Sequence, residues 1–283
     1  MFTLRRTVAA IAAGIFLLAA ATPAASARSG PLTFRGSTAA VVAVPAAHNV
    51  GRDYVALGDS YAAGYGAGTS SGACARTSCA YPELLAKVAR LNLTFVACSG
   101  ATIADVTGSQ LAAVTSAADL ITLQVGGNDV GFAPVIGACA QDNTAVCLAA
   151  VAQSRAYLDG AFVQHLTTLY AAVRSRAPQA KLIVVGYPRL FGARDCSPLT
   201  VFTDAERQLL NSTADLLNRR LRQAARSVEA DFADPRDRFD GHAWCDRPAW
   251  ITGPAHPAAF HPNVLGQVLG YLPVVGRHVL RRS

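Results

Sequence analysis

Short apolar runs alternate with segments of helical period along most of this chain, and that alternation constrains the fold more than any other feature. The apolar runs cover residues 54–58, 93–99, 120–127 and 181–188. Helical periodicity marks residues 81–90, 155–178 and 203–227. Buried strands that alternate with helices predict a three-layer α/β/α sandwich with a mostly parallel central sheet. In such sheets ligands bind at the carboxyl ends of the strands.

Three of the apolar runs end in small polar residues, which a parallel sheet would bring to one edge. An ester hydrolase needs a nucleophile, a base and hydrogen-bond donors for the oxyanion. Ser60 follows the first run and is the candidate nucleophile, with its own N–H as one oxyanion donor. The N–H of Gly100 and the side-chain amide of Asn128 follow the next two runs, and His261 near the C-terminus is the candidate base. Each feature alone is common in turns, but together they predict ester hydrolysis.

These four blocks resemble the motifs of the SGNH, or GDSL, hydrolase superfamily. "GDSYAAGYG" matches the nucleophile block, "CSGAT" and "GGNDVGF" match the oxyanion blocks, and "FHPN" matches the histidine block. The resemblance runs from about Asp53 to the end of the chain, and it points to the secreted actinobacterial (Streptomyces-type) lipases and esterases with three disulfides. It implies the flavodoxin-like SGNH fold and an acyl-enzyme mechanism that requires neither a metal nor an organic cofactor.

The histidine block departs from the family pattern at one position. Most relatives carry an aspartate three residues before the histidine, where this chain has Ala258, and no carboxylate occurs from Thr252 to the C-terminus. A histidine base needs a partner that holds its ring. We therefore expect a Ser60–His261 dyad in which the main-chain carbonyl of Ala258 or Ala259 accepts a hydrogen bond from Nδ1. A remote acid such as Asp246 is the alternative.

The N-terminus has the pattern of a secretory signal peptide. Arg5 and Arg6 precede an apolar run that is shorter than the roughly 20 residues of a membrane span, and a small-residue cleavage site ends at Ala27. We expect residues 1–27 to be removed, residues 28–52 to form an N-terminal arm and residues 53–283 to form a single SGNH hydrolase domain. The protein should therefore be extracellular.

Export favours disulfide bonds among the seven cysteines. Spacing suggests the pairs Cys74–Cys79, Cys139–Cys147 and Cys196–Cys245, which agrees with the three disulfides of the related group. Cys98 is then left as a small buried thiol. No pair of C-x-x-C knuckles is present, so a zinc site is not expected.

The charge distribution argues against a nucleic-acid partner. The formal net charge of +7 falls to +5 once Arg5 and Arg6 leave with the signal peptide, and the remaining arginines form no stripe interleaved with aromatic residues. This charge allows a transient contact with a membrane or lipid interface. We expect a monomer whose partner is a small-molecule or lipid ester.

Several other polar and aromatic residues are given structural roles. We expect Asp59 and Asp129 to organise their turns, and His242 and His256 not to act as base or metal ligand. Trp244 and Trp250 fit either the wall of an acyl pocket or core packing.

The sequence therefore predicts a secreted serine carboxylic-ester hydrolase, a lipase or esterase, that cleaves fatty-acyl or lipid esters. The alternatives are a phospholipase A, a carbohydrate or cell-wall O-deacetylase, and a non-catalytic secreted binding protein.

Overall fold

Five parallel strands form the central sheet of the protein, for which we have a computed structural model that describes residues 51–192 and 201–280. The strand order is β2-β1-β3-β4-β5. The strands are β1 (Asp53–Gly58), β2 (Asn92–Phe95), β3 (Leu120–Gln124), β4 (Lys181–Val185) and β5 (Asp231–Ala233). Register pairs Tyr54 with Leu93 on one side of β1 and with Leu120 on the other. The predicted α/β sandwich with a parallel sheet is confirmed.

Helices cover both faces of this sheet in the described part of the chain. They are α1 (Ser60–Ala63), α2 (Tyr81–Ala89), α3 (Ile103–Asp105), α4 (Phe132–Cys139), α5 (Thr144–Asp159), α6 (Phe162–Arg176), α7 (Asp204–Ser227), α8 (Arg236–Phe239) and α9 (Leu272–Leu280). Wider π-helical turns follow α3 and precede α9. Helices α5, α6 and α7 pack on one another, as do α2 and α9. The two groups form the outer layers, and buried aliphatic and aromatic side chains fill the space between them and the sheet.

A capping box begins helix α7. The Thr203 hydroxyl accepts from the N–H of Glu206 at 3.3 Å, and the Glu206 carboxylate accepts from the N–H of Thr203 at 2.9 Å. Each bond satisfies a helix-end donor that would otherwise lack a partner.

Three element predictions need correction. The segment 155–178 is not one helix, because the chain leaves helical geometry at Gly160, between α5 and α6. Glycine is a poor helix former, and the break lets Leu158 and Phe162 both reach the core. Strand β2 is shorter than predicted and only partly buried because it is the edge of the sheet. Strand β5 was not predicted, because three residues are too few to show a pattern.

The disulfide prediction is wrong at its first pair. Cys74 bonds to Cys98, and Cys79 is a free, half-buried thiol. The end of β2 lies beside the Cys74 loop, where the N–H of Ser99 donates to the Cys74 carbonyl at 3.0 Å. This contact brings two cysteines together that are 24 residues apart.

The other two predicted pairs involve cysteines later in the chain. A second disulfide joins Cys139 to Cys147, as the spacing suggested, and ties the end of α4 to α5. Cys245 is disulfide-bonded, while Cys196, its predicted partner, lies outside the described residues.

Candidate active site

Strand β1 carries Ser60 to the carboxyl edge of the sheet through a tight turn. Gly58 has φ +144°, and a Cβ at this position would lie 2.3 Å from the Gln124 carbonyl oxygen of β3. Asp59 caps the short helix α1 by accepting from the N–H of Tyr61 at 2.9 Å, so Ser60 is the first helical residue. This packing leaves the Ser60 side chain largely buried and held in one place.

His261 meets Ser60 from the loop between α8 and the π-helical turn before α9. Its Nε2 lies 2.8 Å from Ser60 Oγ, a hydrogen-bond distance. Thr252 fastens the histidine backbone, because its N–H donates to the His261 carbonyl at 2.9 Å and its Oγ1 accepts from the His261 N–H at 3.1 Å. The two residues that the sequence named as nucleophile and base are therefore in contact.

Among the residues that the structure describes, main-chain carbonyls and not a carboxylate face the other ring nitrogen of His261. Nδ1 lies 2.9 Å from the carbonyl oxygen of Ala259, and the Ala258 carbonyl also interacts with the ring. The carboxylate of Asp246 instead accepts from the N–H of Ala243 at 2.8 Å. Burial lowers the pKa of His261 below its ordinary value, and the two carbonyls oppose that shift only in part. The imidazole is thus neutral, as a base must be, at neutral pH.

The predicted oxyanion donors lie on both sides of Ser60. Strand β1 lies between β2 and β3, which are the strands before Gly100 and Asn128. Gly100 adopts φ +85°, a left-handed conformation that favours glycine, and no atom of the described residues lies within 4 Å of where a Cβ would project. One hydrogen of the Asn128 amide is used by the Ala101 carbonyl, at 2.9 Å from Nδ2, which leaves the second available.

Tyr187, which sequence reasoning did not single out, completes the support beneath the nucleophile. Its hydroxyl lies 2.5 Å from Oδ2 of Asp59 and accepts from the N–H of Gly127 at 3.3 Å. Burial raises the pKa of Asp59 to about 7, although the hydrogen bonds from Tyr187 and Tyr61 oppose the rise. The only sequence signal for Tyr187 was its place after β4, the fourth apolar run to end at this edge.

An apolar cavity opens beside Ser60. Its volume is about 680 Å³ including the part open to solvent. Most of the wall comes from α4, α7 and the ends of β3 and β4, with the apolar side chains Val130, Phe132, Val135, Ile136, Leu190, Leu210 and Leu217. Ser154 of α5 also lines it; its side chain makes no hydrogen bond to any described residue. The arrangement suits an extended apolar group attached to a carbonyl at Ser60.

The remaining residues considered from the sequence lie apart from the Ser60–His261 contact. Trp244 packs among phenylalanines, and Trp250 stacks on His242 at a ring-centroid distance of 3.8 Å. Neither tryptophan lines the cavity. Nδ1 of His256 accepts from the N–H of Ala258 at 3.0 Å. Across residues 51–192 and 201–280, no three His, Cys, Asp or Glu side chains are grouped to hold a metal ion.

A parallel α/β/α sheet with a serine, a histidine, a glycine N–H and an asparagine amide at its carboxyl edge defines an SGNH-type hydrolase. Comparisons with known proteins agree. The model of the GDSL-like Lipase/Acylhydrolase family matches residues 56–269. The chain therefore belongs to this family, and it is a carboxylic ester hydrolase.

Individual relatives are lipases and a phospholipase. A lipase of Streptomyces rimosus is 37% identical over 262 residues, which cover 90% of this chain and 96% of that protein. Lipase 1 of Streptomyces coelicolor is 37% identical over 248 residues, which cover 85% of this chain and 90% of that protein. The crystal structure of the S. rimosus extracellular lipase covers 80% of this chain and 99% of its own, with a TM-score of 0.77. The crystal structure of phospholipase A1 from Streptomyces albidoflavus NA297 is 36% identical in sequence. The match covers 81% of this chain and 99% of that protein's chain, also with a TM-score of 0.77.

Among the described residues, no helix is both long and apolar enough to cross a bilayer.

Proposed function

We propose that this protein is a secreted lipase or esterase that cleaves fatty-acyl esters with a Ser60–His261 dyad. The observation that carries the proposal is the 2.8 Å contact of His261 Nε2 with Ser60 Oγ, beside a largely apolar cavity. Residues 1–27 act as the signal peptide and residues 28–52 as an arm before the catalytic domain. The extracellular lipase among the relatives supports export.

The reaction begins when His261 Nε2 takes the proton of Ser60 Oγ and the oxygen bonds to the ester carbonyl carbon. The carbonyl electron pair moves to its oxygen, which accepts hydrogen bonds from the N–H groups of Ser60 and Gly100 and from the Asn128 amide. Collapse of this intermediate breaks the bond to the alcohol oxygen, which takes the proton from Nε2 as it leaves. Water then attacks the acyl-Ser60 ester with His261 again as base, and Ser60 Oγ recovers its proton as the acid departs.

The carbonyl of Ala259 takes the place of the usual acid. As an acceptor for Nδ1–H, it selects the tautomer whose Nε2 is free to take a proton, and it fixes the ring plane. Its dipole stabilises the imidazolium less than a full negative charge would. The dyad should therefore work, with less assistance to proton transfer than a triad that contains a carboxylate.

The apolar wall of the cavity supports a fatty-acyl substrate. An acyl chain bonded through its carbonyl carbon to Ser60 would have side chains of α4 and α7 along its length. Burial of each methylene contributes roughly 0.8 kcal/mol, so a long chain binds better than acetyl. Phospholipase A activity uses the same acyl site and is the second candidate, supported by the relative named phospholipase A1.

Hydrolysis of p-nitrophenyl esters from acetate to palmitate tests this proposal with wild type, Ser60→Ala and His261→Ala. We expect each substitution to lower kcat by at least about a thousandfold, because the two residues act as one unit. His242→Ala is the matched control, a histidine stacked on Trp250, and it should stay within threefold of wild type. Activity that survives in Ser60→Ala would show that the assignment of the nucleophile is wrong.

The same ester series, extended to one more variant, separates the lipase from a deacetylase and the carbonyl-supported dyad from a remote acid. Activity confined to acetate would indicate a deacetylase, whereas activity on long chains supports the lipase. Asp246→Asn should leave kcat and its pH dependence unchanged, because Asp246 bonds to Ala243 and not to His261. A loss of kcat comparable to that of His261→Ala would instead indicate that Asp246 acts as a remote acid that supports His261.

A further inference from the structure

The two outer donors of the candidate oxyanion hole belong to different loops. Gly100 follows the edge strand β2, Asn128 follows β3, and β1 with Ser60 lies between them. Gly100 itself is exposed, and no side chain of the described residues lies within 4 Å of its Cβ direction. Packing around Gly100 therefore does not hold its N–H in place. Bonds from the neighbouring residues must do so.

On one side, the Gly100 loop is anchored to the Cys74 loop. The Cys74–Cys98 disulfide and the hydrogen bond from Ser99 N–H to the Cys74 carbonyl, at 3.0 Å, hold the residues just before Gly100. This anchor fixes where the loop starts. It does not set the distance from Gly100 to the Asn128 turn.

On the other side, two residues of the Asn128 turn reach across to the Gly100 loop. Asn128 Nδ2 donates to the Ala101 carbonyl at 2.9 Å. Asp129 accepts the N–H of Ile103 with both carboxylate oxygens, each at 3.1 Å. Asp129 is partly buried and Ile103 almost fully so, which keeps competing water away from the bond. A hydrogen bond to a charged acceptor is about twice as strong as a neutral one.

We propose that Asp129 is a positioning residue that clamps the Gly100 loop to the Asn128 turn and so sets the spacing of the oxyanion donors. This inference rests on the proposed function. It assigns Asp129 a role in the reaction beyond the turn-forming one expected from sequence. Asp129 need not touch substrate, because its effect passes through Gly100 and Asn128.

Asp105 provides a matched control on the same loop. Its carboxylate accepts from the N–H of Thr102 at 2.9 Å and from the Thr102 hydroxyl at 2.6 Å. These bonds lie within the loop and cap α3, so they do not connect it to Asn128. Removing Asp105 should loosen the loop locally without releasing it from the Asn128 turn.

The test is a double-mutant cycle measured with p-nitrophenyl butyrate on Asn128→Ala, Asp129→Ala and the double variant. We expect Asp129→Ala to lower kcat about tenfold with KM within twofold, since oxyanion contacts form fully only in the transition state. Without the Asn128 amide, Asp129 has one oxyanion donor fewer to position. In the Asn128→Ala background, Asp129→Ala should therefore lower kcat by less than about threefold. Asp129→Asn keeps one acceptor oxygen and should lose about threefold, while Asp105→Ala stays within about twofold.

Equal tenfold losses in both backgrounds would overturn the inference, because they would show that the effect of Asp129 does not depend on the Asn128 amide whose spacing from Gly100 it is proposed to set. So would an Asp105→Ala loss as large as that of Asp129→Ala, or no loss in any Asp129 variant. If Asp129→Ala does not fold, the same cycle built with Asp129→Asn decides. Ser60→Ala distinguishes failure of the proposed function from failure of this inference. Activity in Ser60→Ala refutes the proposed function. An inactive Ser60→Ala together with an additive double-mutant cycle refutes only the positioning role of Asp129.

Discussion

Substitution of Asp59 by asparagine should change how the stability of this enzyme depends on pH. Asp59 is almost fully buried, and its carboxylate accepts from the N–H of Tyr61 and the hydroxyl of Tyr187. Burial disfavours the charged form more than these two bonds favour it, so the pKa of Asp59 rises from 3.8 to about 7. Between those two pH values the folded protein holds a proton that the unfolded chain releases.

The sign and the size of the effect follow from that difference in pKa. A raised carboxyl pKa contributes stability that is complete below pH 3.8 and is lost as the pH rises towards 7, beyond which the loss levels off. Each unit of pKa corresponds to 1.36 kcal/mol. For one group with these two pKa values, the free energy of unfolding falls by roughly 2–3 kcal/mol between pH 5 and pH 8.

Asp59→Asn removes this titration while keeping the shape of the side chain. Its carbonyl oxygen can still accept from Tyr61, but its amide faces the Tyr187 hydroxyl, which then needs another acceptor. That mismatch costs about 1–2 kcal/mol at every pH. The variant should therefore be less stable than wild type at pH 5, and the difference in unfolding free energy should shift in its favour by roughly 2–3 kcal/mol by pH 8.

Urea unfolding of both proteins from pH 5 to pH 8, with disulfides intact, measures the difference. Groups common to the two proteins cancel when their free energies of unfolding are subtracted at each pH. A difference that does not vary with pH would show that Asp59 titrates alike in the folded and unfolded chains, and the reasoning from burial would fail. If the variant instead becomes less stable relative to wild type as the pH rises, the pKa of Asp59 in the folded protein is lowered and not raised.

The other predictions concern the cavity, the oxyanion glycine, the cysteines and the histidine. Ser154→Leu should fill part of the cavity and shift the preference towards shorter acyl chains, seen as a lower kcat/KM on palmitate than on butyrate; an unchanged profile would mean that the acyl chain lies elsewhere. Gly100→Ala should lower kcat about tenfold or more with little change in KM, since φ +85° strains any residue with a Cβ and shifts the N–H. Cys98→Ser should cost about 2–4 kcal/mol in urea unfolding and Cys79→Ser less than about 1 kcal/mol, and equal losses would contradict the pairing. Burial lowers the pKa of His261, so kcat/KM should fall with decreasing pH at a midpoint below 6.5. This profile is measured on Asp59→Asn, because titration of Asp59 near pH 7 would overlap it in the wild type. A midpoint above 6.5 would count against the buried neutral base.

Local sequence patterns indicated the residues of the candidate site because each of its parts is encoded within a few residues. Gly58, Asp59 and Ser60 form a turn whose residue types leave few alternatives, and the same holds for the loops at Gly100 and Asn128. The rule that ligands bind at the carboxyl ends of parallel strands then placed all three loops at one edge.

Features that depend on contacts between distant residues were missed or mistaken. Spacing favoured Cys79 as the partner of Cys74, but the position of β2 beside β1 brings Cys98 there instead. Tyr187 and Asp59 are 128 residues apart, and no pattern in either segment indicates their hydrogen bond.

The sequence by itself determined the α/β class, the four candidate site residues and the absence of a carboxylate from Thr252 to the C-terminus, because these depend on residue type and short-range periodicity. Only the tertiary structure decided that the carbonyl of Ala259 faces Nδ1, that Cys74 pairs with Cys98 and that Asp129 reaches Ile103. The strand order and the path of the connecting loops set these contacts. Both arise from the packing of the whole chain, so no single segment carries the information.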